Sequence, residues 1–336
     1  MNECEKLFSL ERDEGEARWA DRKARWPDFY IVGAPKAGTT SLFKYLSQHP
    51  KVVFSHFKET HYFGSDLIWR TRAVPRDIAL DSYMSAANDK LLGDASVFYL
   101  ASTEAAKEIH EANPAARIIA VVRNPLSMIP SLYSQAIRTG DENQSTLAKA
   151  MALEPRRKAG EIDISPDNPG VMQQLYYSEI ARYSEQLRRY FDVFGRDRVL
   201  VVEFDAFVRD PLATVSDVFT FLGLTDVAIE TKRHNEARTP RNWVLYRLFK
   251  HPFSPLRKLW RGILPGALRR RILMGAENIV FKRAKAQETA EDLRRIAYLY
   301  SDDVAKLEEL TGLDLSLWRR NFDLALEAPV HHSRRG

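Results

Sequence analysis

Residues 28–50 read DFYIVGAPKAGTTSLFKYLSQHP, and this stretch decides how the rest of the chain is interpreted. The apolar run at 29–32 predicts a short buried strand, and apolar residues spaced close to 3.6 apart after Thr39 predict a helix. The turn between them contains two glycines, a proline and Lys36. Free N–H groups and the positive end of the helix dipole meet at such a turn. The stretch therefore predicts an anion-binding loop rather than an ordinary strand-to-helix connection.

Length and composition predict a folded, soluble α/β protein. The chain has 336 residues, of which 45% are hydrophobic, and its only cysteine, Cys4, excludes an internal disulfide and suits a reducing compartment. Residues 1–26 are highly charged and contain no apolar segment typical of a secretory signal, and no apolar run is long enough to span a membrane. We expect a cytoplasmic protein with a charged helix at 1–26, one domain at 27–325 and a tail at 326–336.

Further apolar runs predict the remaining strands and helices. Strands are expected at 52–54, 117–122 and 199–204, and residues 91–100 are interpreted as the end of a strand that continues into a loop. Helices are expected at about 102–111, 171–194, 211–223 and 290–310. Strands alternating with helices indicate a parallel β-sheet flanked by helices. Residues 139–170 are polar with scattered Gly and Pro, which predicts a mobile excursion that could serve as a substrate lid.

The segment after the strand at 52–54 contains three titratable residues, Lys58, Glu59 and His61, among aromatic residues. Loops at the carboxyl ends of parallel strands form active sites. Apolar surroundings raise the pKa of a carboxylate or hold a histidine in one tautomer, as proton transfer requires. The residues alone leave two readings open: a proton-transfer site or a solvated loop with incidental charges.

A second anion site is suggested where the strand at 117–122 ends. Arg123 comes directly after this strand, Asn124 and Pro125 are a helix cap and a first helical residue, and Ser131 follows two turns later. Arginine offers bidentate contacts to phosphate. A structural salt bridge for Arg123 is an equal alternative from position alone.

Residues 232–285 are strongly basic, with fifteen Lys or Arg and two acidic residues, and aromatic residues are interleaved with the charges. Three interpretations follow: a lid or groove for an anionic acceptor, a solvated face, or peripheral contact with anionic lipid. Nucleic acid is not expected as a partner, because no nucleic-acid-binding module is visible. The eight histidines are scattered, so no metal site is expected.

The loop is one residue away from the P-loop of nucleoside triphosphatases, G-x-x-x-x-G-K-[ST]. Gly33 and Gly38 have the required spacing, but Thr39 follows the second glycine and the lysine lies earlier, at position 36. This displaced lysine resembles the 5′-phosphosulfate loop of the sulfotransferase family, which binds 3′-phosphoadenosine 5′-phosphosulfate (PAPS). The resemblance implies a P-loop-type parallel sheet and assigns PAPS binding to Lys36, Ala37, Gly38, Thr39, Thr40 and Ser41.

Two further motifs strengthen this resemblance. Arg123 with Ser131 is similar to the family's 3′-phosphate site. Residues 58–63, KETHYF, resemble the K-E-x-H-F-F segment of the heparan-sulfate-type carbohydrate sulfotransferases, in which the glutamate is the catalytic base. The resemblance therefore implies Glu59 as base, with His61 and Lys36 as the other catalytic residues. One departure is Ala95, at the place where those enzymes carry a catalytic lysine, so the acceptor need not be a glycosaminoglycan.

The resemblance implies a sulfotransferase that moves a sulfuryl group from PAPS, without a metal, to a hydroxyl of a carbohydrate, lipid or small molecule. A nucleotide-dependent kinase of the same fold is one alternative, although no convincing metal-binding carboxylate follows a later strand. A non-catalytic protein that binds PAPS or a membrane surface through residues 232–285 is the other.

Overall fold

The computed structural model describes residues 26–55, 58–68, 89–161, 171–231, 238–240, 281–283 and 289–328, with only the backbone at 238–240 and 281–283. The predicted helix at 1–26 lies almost entirely outside these residues, as do most of the basic segment at 232–285 and most of the tail at 326–336. Within the described part, no helix is both long and apolar enough to cross a membrane.

A parallel sheet of five strands forms the centre of the described chain. In chain order the strands are β1 Phe29–Gly33, β2 Val52–Phe54, β3 Leu91–Ala95, β4 Arg117–Val122 and β5 Val199–Glu203. Their order in the sheet is β2-β3-β1-β4-β5, so the first strand lies in the middle. β1 is buried along its whole length, as a parallel strand covered on both faces requires. The predicted fold class, a parallel sheet flanked by helices, is confirmed.

Helices cover the sheet and extend the core on both sides. In chain order they are α1 Thr39–Leu46, α2 Ala105–Ala112, α3 Pro125–Thr139, α4 Leu147–Ala152, α5 Glu154–Lys158, α6 Tyr183–Phe194, α7 Phe204–Arg209, α8 Pro211–Leu222, α9 Ala290–Thr311 and α10 Ser316–Glu327. The long helix α9 packs against α6, α3 and α10. α10 continues just past the predicted domain end at 325.

Local signals in the sequence predict several helix ends correctly. The Asn124 side chain caps α3 by accepting a hydrogen bond from the Leu126 N–H, and Pro125 is the first helical residue. Gly223 ends α8 in the left-handed conformation, with φ 74°. These caps depend only on neighbouring residues, so the sequence is sufficient to place them.

The polar stretch after residue 139 is folded up to residue 161, contrary to the predicted mobile excursion. It contains α4 and α5, and its Arg157 forms a buried ion pair with Glu142 at 2.8 Å. Tyr177 donates a hydrogen bond to the same carboxylate at 3.2 Å. The charged residues that suggested solvent exposure are therefore satisfied inside the protein. Residues 162–170 lie outside the described part, so the lid prediction is not tested there.

The predicted helix at 171–194 begins only at Tyr183. A short 3₁₀ turn, Met172–Leu175, precedes it. Here the Met172 N–H donates to the Ile68 carbonyl at 2.9 Å, and the Tyr300 hydroxyl donates to the Tyr177 carbonyl at 2.6 Å. A continuous helix would pair the Tyr177 carbonyl internally, and here that carbonyl bonds to Tyr300 instead. Tertiary contacts have overridden the helical periodicity at this point.

Two short strands, β6 Arg238–Pro240 and β7 Phe281–Arg283, form an antiparallel pair from the two ends of the basic segment. β6 lies against α3. The backbone of the basic segment thus approaches the helix that follows Arg123.

Candidate active site

The lysine loop, residues 34–38, joins the buried end of β1 to α1. Gly38 is in the left-handed conformation, with φ 81°, and a Cβ atom there would lie 3.0 Å from the Phe204 ring. Glycine is therefore required both by the backbone conformation and by the close approach of Phe204. Within the loop, Ala37 is completely buried.

The start of α1 leaves backbone donors available. No side chain caps the helix, and its first turn contains no acidic residue. The Ala37 and Ser41 N–H groups bond within the loop, to the Ala34 and Gly38 carbonyls at 3.3 and 2.9 Å. Among residues 37–41, the N–H groups of Gly38, Thr39 and Thr40 have no backbone acceptor. Unbonded amides in the first turn of a helix are available to bind an anion.

Lys36 lies at the centre of a cluster of cations. Its Nζ donates a hydrogen bond to Gln135 Oε1 at 2.9 Å. Burial, together with the charges of Arg138 and Arg123, lowers the pKa of Lys36 to about 8, although the Glu59 carboxylate acts in the opposite direction. The site thus holds a lysine whose charged form a bound anion would stabilise.

Arg123 lies against the lysine loop. Its Nη1 donates to the Lys36 carbonyl at 2.8 Å, and its guanidinium stacks over the Phe204 ring at 4.5 Å. Part of the arginine is thereby committed to holding the loop. Its neighbour on the chain, α3, presents Ser131, Gln135 and Arg138 at helical spacing on one face.

Gln135 and Arg138 are residues that the sequence analysis did not single out. The available signal was their spacing of four and seven residues after Ser131, which places all three on one helical face. That signal became useful only once the structure showed which face of α3 meets Lys36.

The 58–63 turn carries the predicted base. Lys58 Nζ lies 2.5 Å from Glu59 Oε1, and His61 Nε2 lies 3.6 Å from Glu59 Oε2. The Glu59 side chain is 32% exposed and the His61 side chain only 9%, so a ligand can reach the carboxylate. Burial lowers the pKa of His61 to about 4. At neutral pH His61 is therefore an uncharged imidazole, able to hydrogen-bond rather than to supply charge.

The sheet topology brings these groups together. β3, β1 and β4 are neighbouring parallel strands, so their carboxyl ends share one edge. The lysine loop follows β1 and Arg123 follows β4. The 58–63 turn is attached to the end of β3 through a hydrogen bond from the Glu59 N–H to the Ala95 carbonyl at 3.1 Å. The structure therefore places Lys36, Glu59, His61 and Arg123 at one edge, and Ser131 on the adjoining helix.

Within the described residues, no group of three His, Cys, Asp or Glu side chains is arranged to hold a metal ion. The sequence also offers Arg238 and Arg241 of the basic segment, in a late loop, as weaker candidates for PAPS contacts. Arg241 lies outside the described residues, and only the backbone of Arg238 is described, in β6.

Comparison with known proteins gives this geometry a family. A family model with the description "Sulfotransferase family" matches residues 79–228, which include β3, β4 and β5. The crystal structure of a sulfotransferase from Alicyclobacillus acidocaldarius is 27% identical, with a TM-score of 0.61, and the match covers 88% of this chain and 100% of that chain. By these two matches the chain is similar to members of the sulfotransferase family.

Two curated proteins with carbohydrate substrates in their names are similar to this chain. It is 27% identical to heparan sulfate glucosamine 3-O-sulfotransferase 6 of Homo sapiens over 212 residues, 62% of this chain and 55% of that protein. It is 25% identical to carbohydrate sulfotransferase 15 of Homo sapiens over 252 residues, 59% of this chain and 44% of that protein. The chain spans about half the length of these curated relatives.

Proposed function

We propose that the protein transfers a sulfuryl group from PAPS to a hydroxyl of an acceptor, a carbohydrate, a lipid or a small natural product. The observation that carries this proposal is that the half-buried Lys36 and the reachable carboxylate of Glu59, whose charge acts on the pKa of Lys36, lie at the sheet edge where Arg123 follows β4. Similarity to the sulfotransferase family supports the reaction class, and the carbohydrate sulfotransferases among the relatives support a hydroxyl-bearing acceptor.

The residues present fit PAPS as the sulfuryl donor. PAPS is anionic at both its 3′-phosphate and its 5′-phosphosulfate, and the site offers two separated sets of donors. Lys36 and the amides of Gly38, Thr39 and Thr40 would hold the 5′ end. Arg123 and Ser131 would hold the 3′-phosphate, which ordinary adenine nucleotides lack. The cations that lower the pKa of Lys36 make this an environment that an anion would stabilise.

The side chains have distinct tasks in this mechanism. When bound, PAPS supplies the electrophilic sulfur and the departing 5′-phosphate oxygen. Glu59 accepts the proton of the acceptor hydroxyl through Oε2, because Oε1 is held by Lys58. Neutral His61 orients the carboxylate and the acceptor by hydrogen bonding. Lys36 and the helix amides stabilise the negative charge that develops on the leaving group.

Incubation of the purified protein with sulfur-labelled PAPS and a panel of carbohydrates, lipids and small hydroxylated molecules tests the proposal. We expect label on one class of acceptor and release of 3′-phosphoadenosine 5′-phosphate (PAP), with no dependence on Mg²⁺. Binding of PAPS without transfer to any acceptor would favour a non-catalytic role. Mg²⁺-dependent turnover of ATP without sulfuryl transfer would favour the kinase alternative.

A further inference from the structure

The 58–63 turn adopts a backbone conformation that its residues do not favour. Glu59 and His61 both have positive φ values, 65° and 50°, and in the described chain the one other non-glycine residue with positive φ is Lys36, at 61°. For a residue with a side chain, the left-handed conformation is unfavourable, because the Cβ atom comes too close to the following carbonyl oxygen. Such residues persist only where the surrounding structure enforces them.

Thr60, between the two strained residues, is the inward-facing residue of the turn. Its side chain is buried, and its Oγ1 donates a hydrogen bond of 2.5 Å to Asp94 Oδ2 near the end of β3. Asp94 is itself only 4% exposed. Burial raises the pKa of Asp94 to about 6, whereas hydrogen bonds from Thr60 and Ser96 oppose that rise. Lys58 and Glu59 are the charged groups whose fields reach it.

Tyr99 fixes the second half of the turn. Its hydroxyl accepts hydrogen bonds from the N–H groups of Tyr62 and Phe63 at 2.8 and 3.2 Å. Tyr99 is completely buried, and its own carbonyl accepts a bond from the Tyr190 hydroxyl at 2.8 Å. Two tyrosines in series thus connect the turn to α6.

Two backbone bonds complete the attachment. The Glu59 N–H donates to the Ala95 carbonyl at 3.1 Å, and the His61 N–H donates to Ser96 Oγ at 3.3 Å. Hydrogen bonds from β3 and the turn that follows it therefore secure both strained residues. None of the buried groups reaches the surface of the site, so none can touch an acceptor.

We propose that Thr60, Asp94 and Tyr99 are positioning residues of the transfer reaction, which aim the Glu59 and His61 side chains into the site from below the 58–63 turn. This proposal rests on the proposed function, since it assigns Glu59 and His61 something to act on. It adds a set of residues that contact neither substrate and whose loss changes the direction of the base rather than its chemistry.

A matched pair of substitutions at Thr60 tests the proposal. Thr60→Val preserves the shape and removes the hydroxyl, whereas Thr60→Ser preserves the hydroxyl. We expect Thr60→Val to lower kcat by about 10- to 100-fold, as misplacement of a catalytic group by about 1 Å does, with PAP affinity unchanged. We expect Thr60→Ser to retain kcat within about 3-fold, because the bond to Asp94 survives.

A double mutant separates positioning from general stability. If Thr60 acts through Glu59, Thr60→Val combined with Glu59→Gln is no slower than Glu59→Gln alone, because the base whose direction it sets is already absent. Independent, additive losses would overturn the proposal. Tyr99→Phe is compared with Tyr300→Phe, which also removes a buried tyrosine hydroxyl, but one that bonds to the Tyr177 carbonyl rather than to the 58–63 turn. We expect both to lower Tm and only Tyr99→Phe to lower kcat.

A readout that does not depend on activity distinguishes failure of this proposal from failure of the proposed function. Deuterium exchange at the His61 imidazole carbon, followed against pH, reports the pKa of His61. Loss of the Thr60 bond should release His61 toward solvent and raise its pKa from about 4 toward its ordinary value. An unchanged His61 titration with unchanged kcat overturns the proposal. If wild-type protein transfers no sulfuryl group while the His61 titration moves, the reaction assignment fails and the anchoring of the turn stands.

Discussion

The lysine loop and the 58–63 turn both contain residues in the left-handed backbone conformation, but different kinds of contact hold them there. Each holds a non-glycine residue in the left-handed conformation at the edge of the sheet: Lys36 in the loop, Glu59 and His61 in the turn. The loop is secured by Arg123, a surface-reaching cation that is also proposed to bind the donor. The turn is secured from beneath by Thr60, Asp94 and Tyr99, which are buried and reach no ligand.

The two regions differ in whether the residue that holds the backbone is also the one proposed to bind the ligand. In the 58–63 turn these roles belong to different residues, and in the lysine loop they belong to the same residue. In the lysine loop, Arg123 both holds the loop and is proposed to contact the donor, so any substitution of Arg123 changes two things at once. In the 58–63 turn, the residues that hold the backbone differ from the residues that are proposed to do the chemistry. Mutations of the turn can therefore be interpreted singly, whereas mutations of the loop need paired controls.

The largest effect is expected for Lys36→Ala. It removes a charge-assisted hydrogen bond to the donor, worth about 10- to 100-fold, and transition-state stabilisation worth about 10²- to 10³-fold, so kcat/KM should fall by about 10³- to 10⁵-fold. Steady-state rates at several PAPS concentrations measure this loss. Gln135→Ala is the control, since it removes the partner of Lys36 and keeps the charge. Near-normal turnover of Lys36→Ala would break the comparison, because the loop would then have no catalytic part.

Glu59→Gln is expected to come next. Loss of a general base lowers turnover by about 10²- to 10⁴-fold, and the amide keeps the size of the side chain. Single-turnover rates with saturating PAPS and acceptor isolate the transfer step. If the change raised only the KM for the acceptor, Glu59 would be a binding residue, and both halves of the site would then serve binding.

Arg123→Ala should weaken PAP binding by about 10- to 100-fold, the range for a hydrogen bond to a charged group. It should weaken adenosine 5′-phosphosulfate, which lacks the 3′-phosphate, much less. Because Arg123 also holds the Lys36 carbonyl, Phe204→Leu serves as a control that removes the stacking partner and leaves the guanidinium. Equal losses for the two nucleotides would mean that the arginine supports only the loop.

The smallest expected effect is the uptake of a fraction of a proton when PAP binds. The pKa of free Lys36 is lowered to about 8, so above that pH the lysine is largely neutral, and a bound anion should restore its proton. PAP binding at about pH 8 should therefore take up a fraction of a proton, and affinity should fall as pH rises further. Calorimetry in two buffers of different ionisation enthalpy measures the uptake. Lys36→Arg, which stays charged, should show none; equal uptake in that variant would assign the proton elsewhere.

Much of the fold could be predicted from the sequence because its signals are local. The apolar run of β1, the cap at Asn124 and the glycine after α8 depend on adjacent residues. The predicted strand at 117–122 matches β4 at both ends. The predicted start of α6, at residue 171, was wrong. Long-range hydrogen bonds from the Tyr300 hydroxyl and to the Ile68 carbonyl hold the preceding residues outside the helix.

The candidate site also has a part that the sequence predicts and a part that depends on tertiary structure. Lys36, Glu59 and Arg123 follow strands, so strand order predicts that they meet. Gln135 is a partner of Lys36 across 99 positions of sequence, and Tyr99 reaches the N–H of Tyr62 across 37. No periodicity encodes such pairs, since they exist only after the sheet has formed. The positive φ values of Glu59 and His61 likewise depend on tertiary hydrogen bonds, and no residue type in KETHYF predicts them.

The position of β1 has a consequence for the order in which the protein can form. β1 pairs with β3 on one side and β4 on the other, and both are synthesised after it. During translation this fully apolar strand leaves the ribosome with no native neighbour and must wait until Val122 has been made. An exposed strand with two free edges is a hazard for association between nascent chains. The same centrality that gathers the reactive groups thus makes the opening strand a point at which chaperones are expected to act.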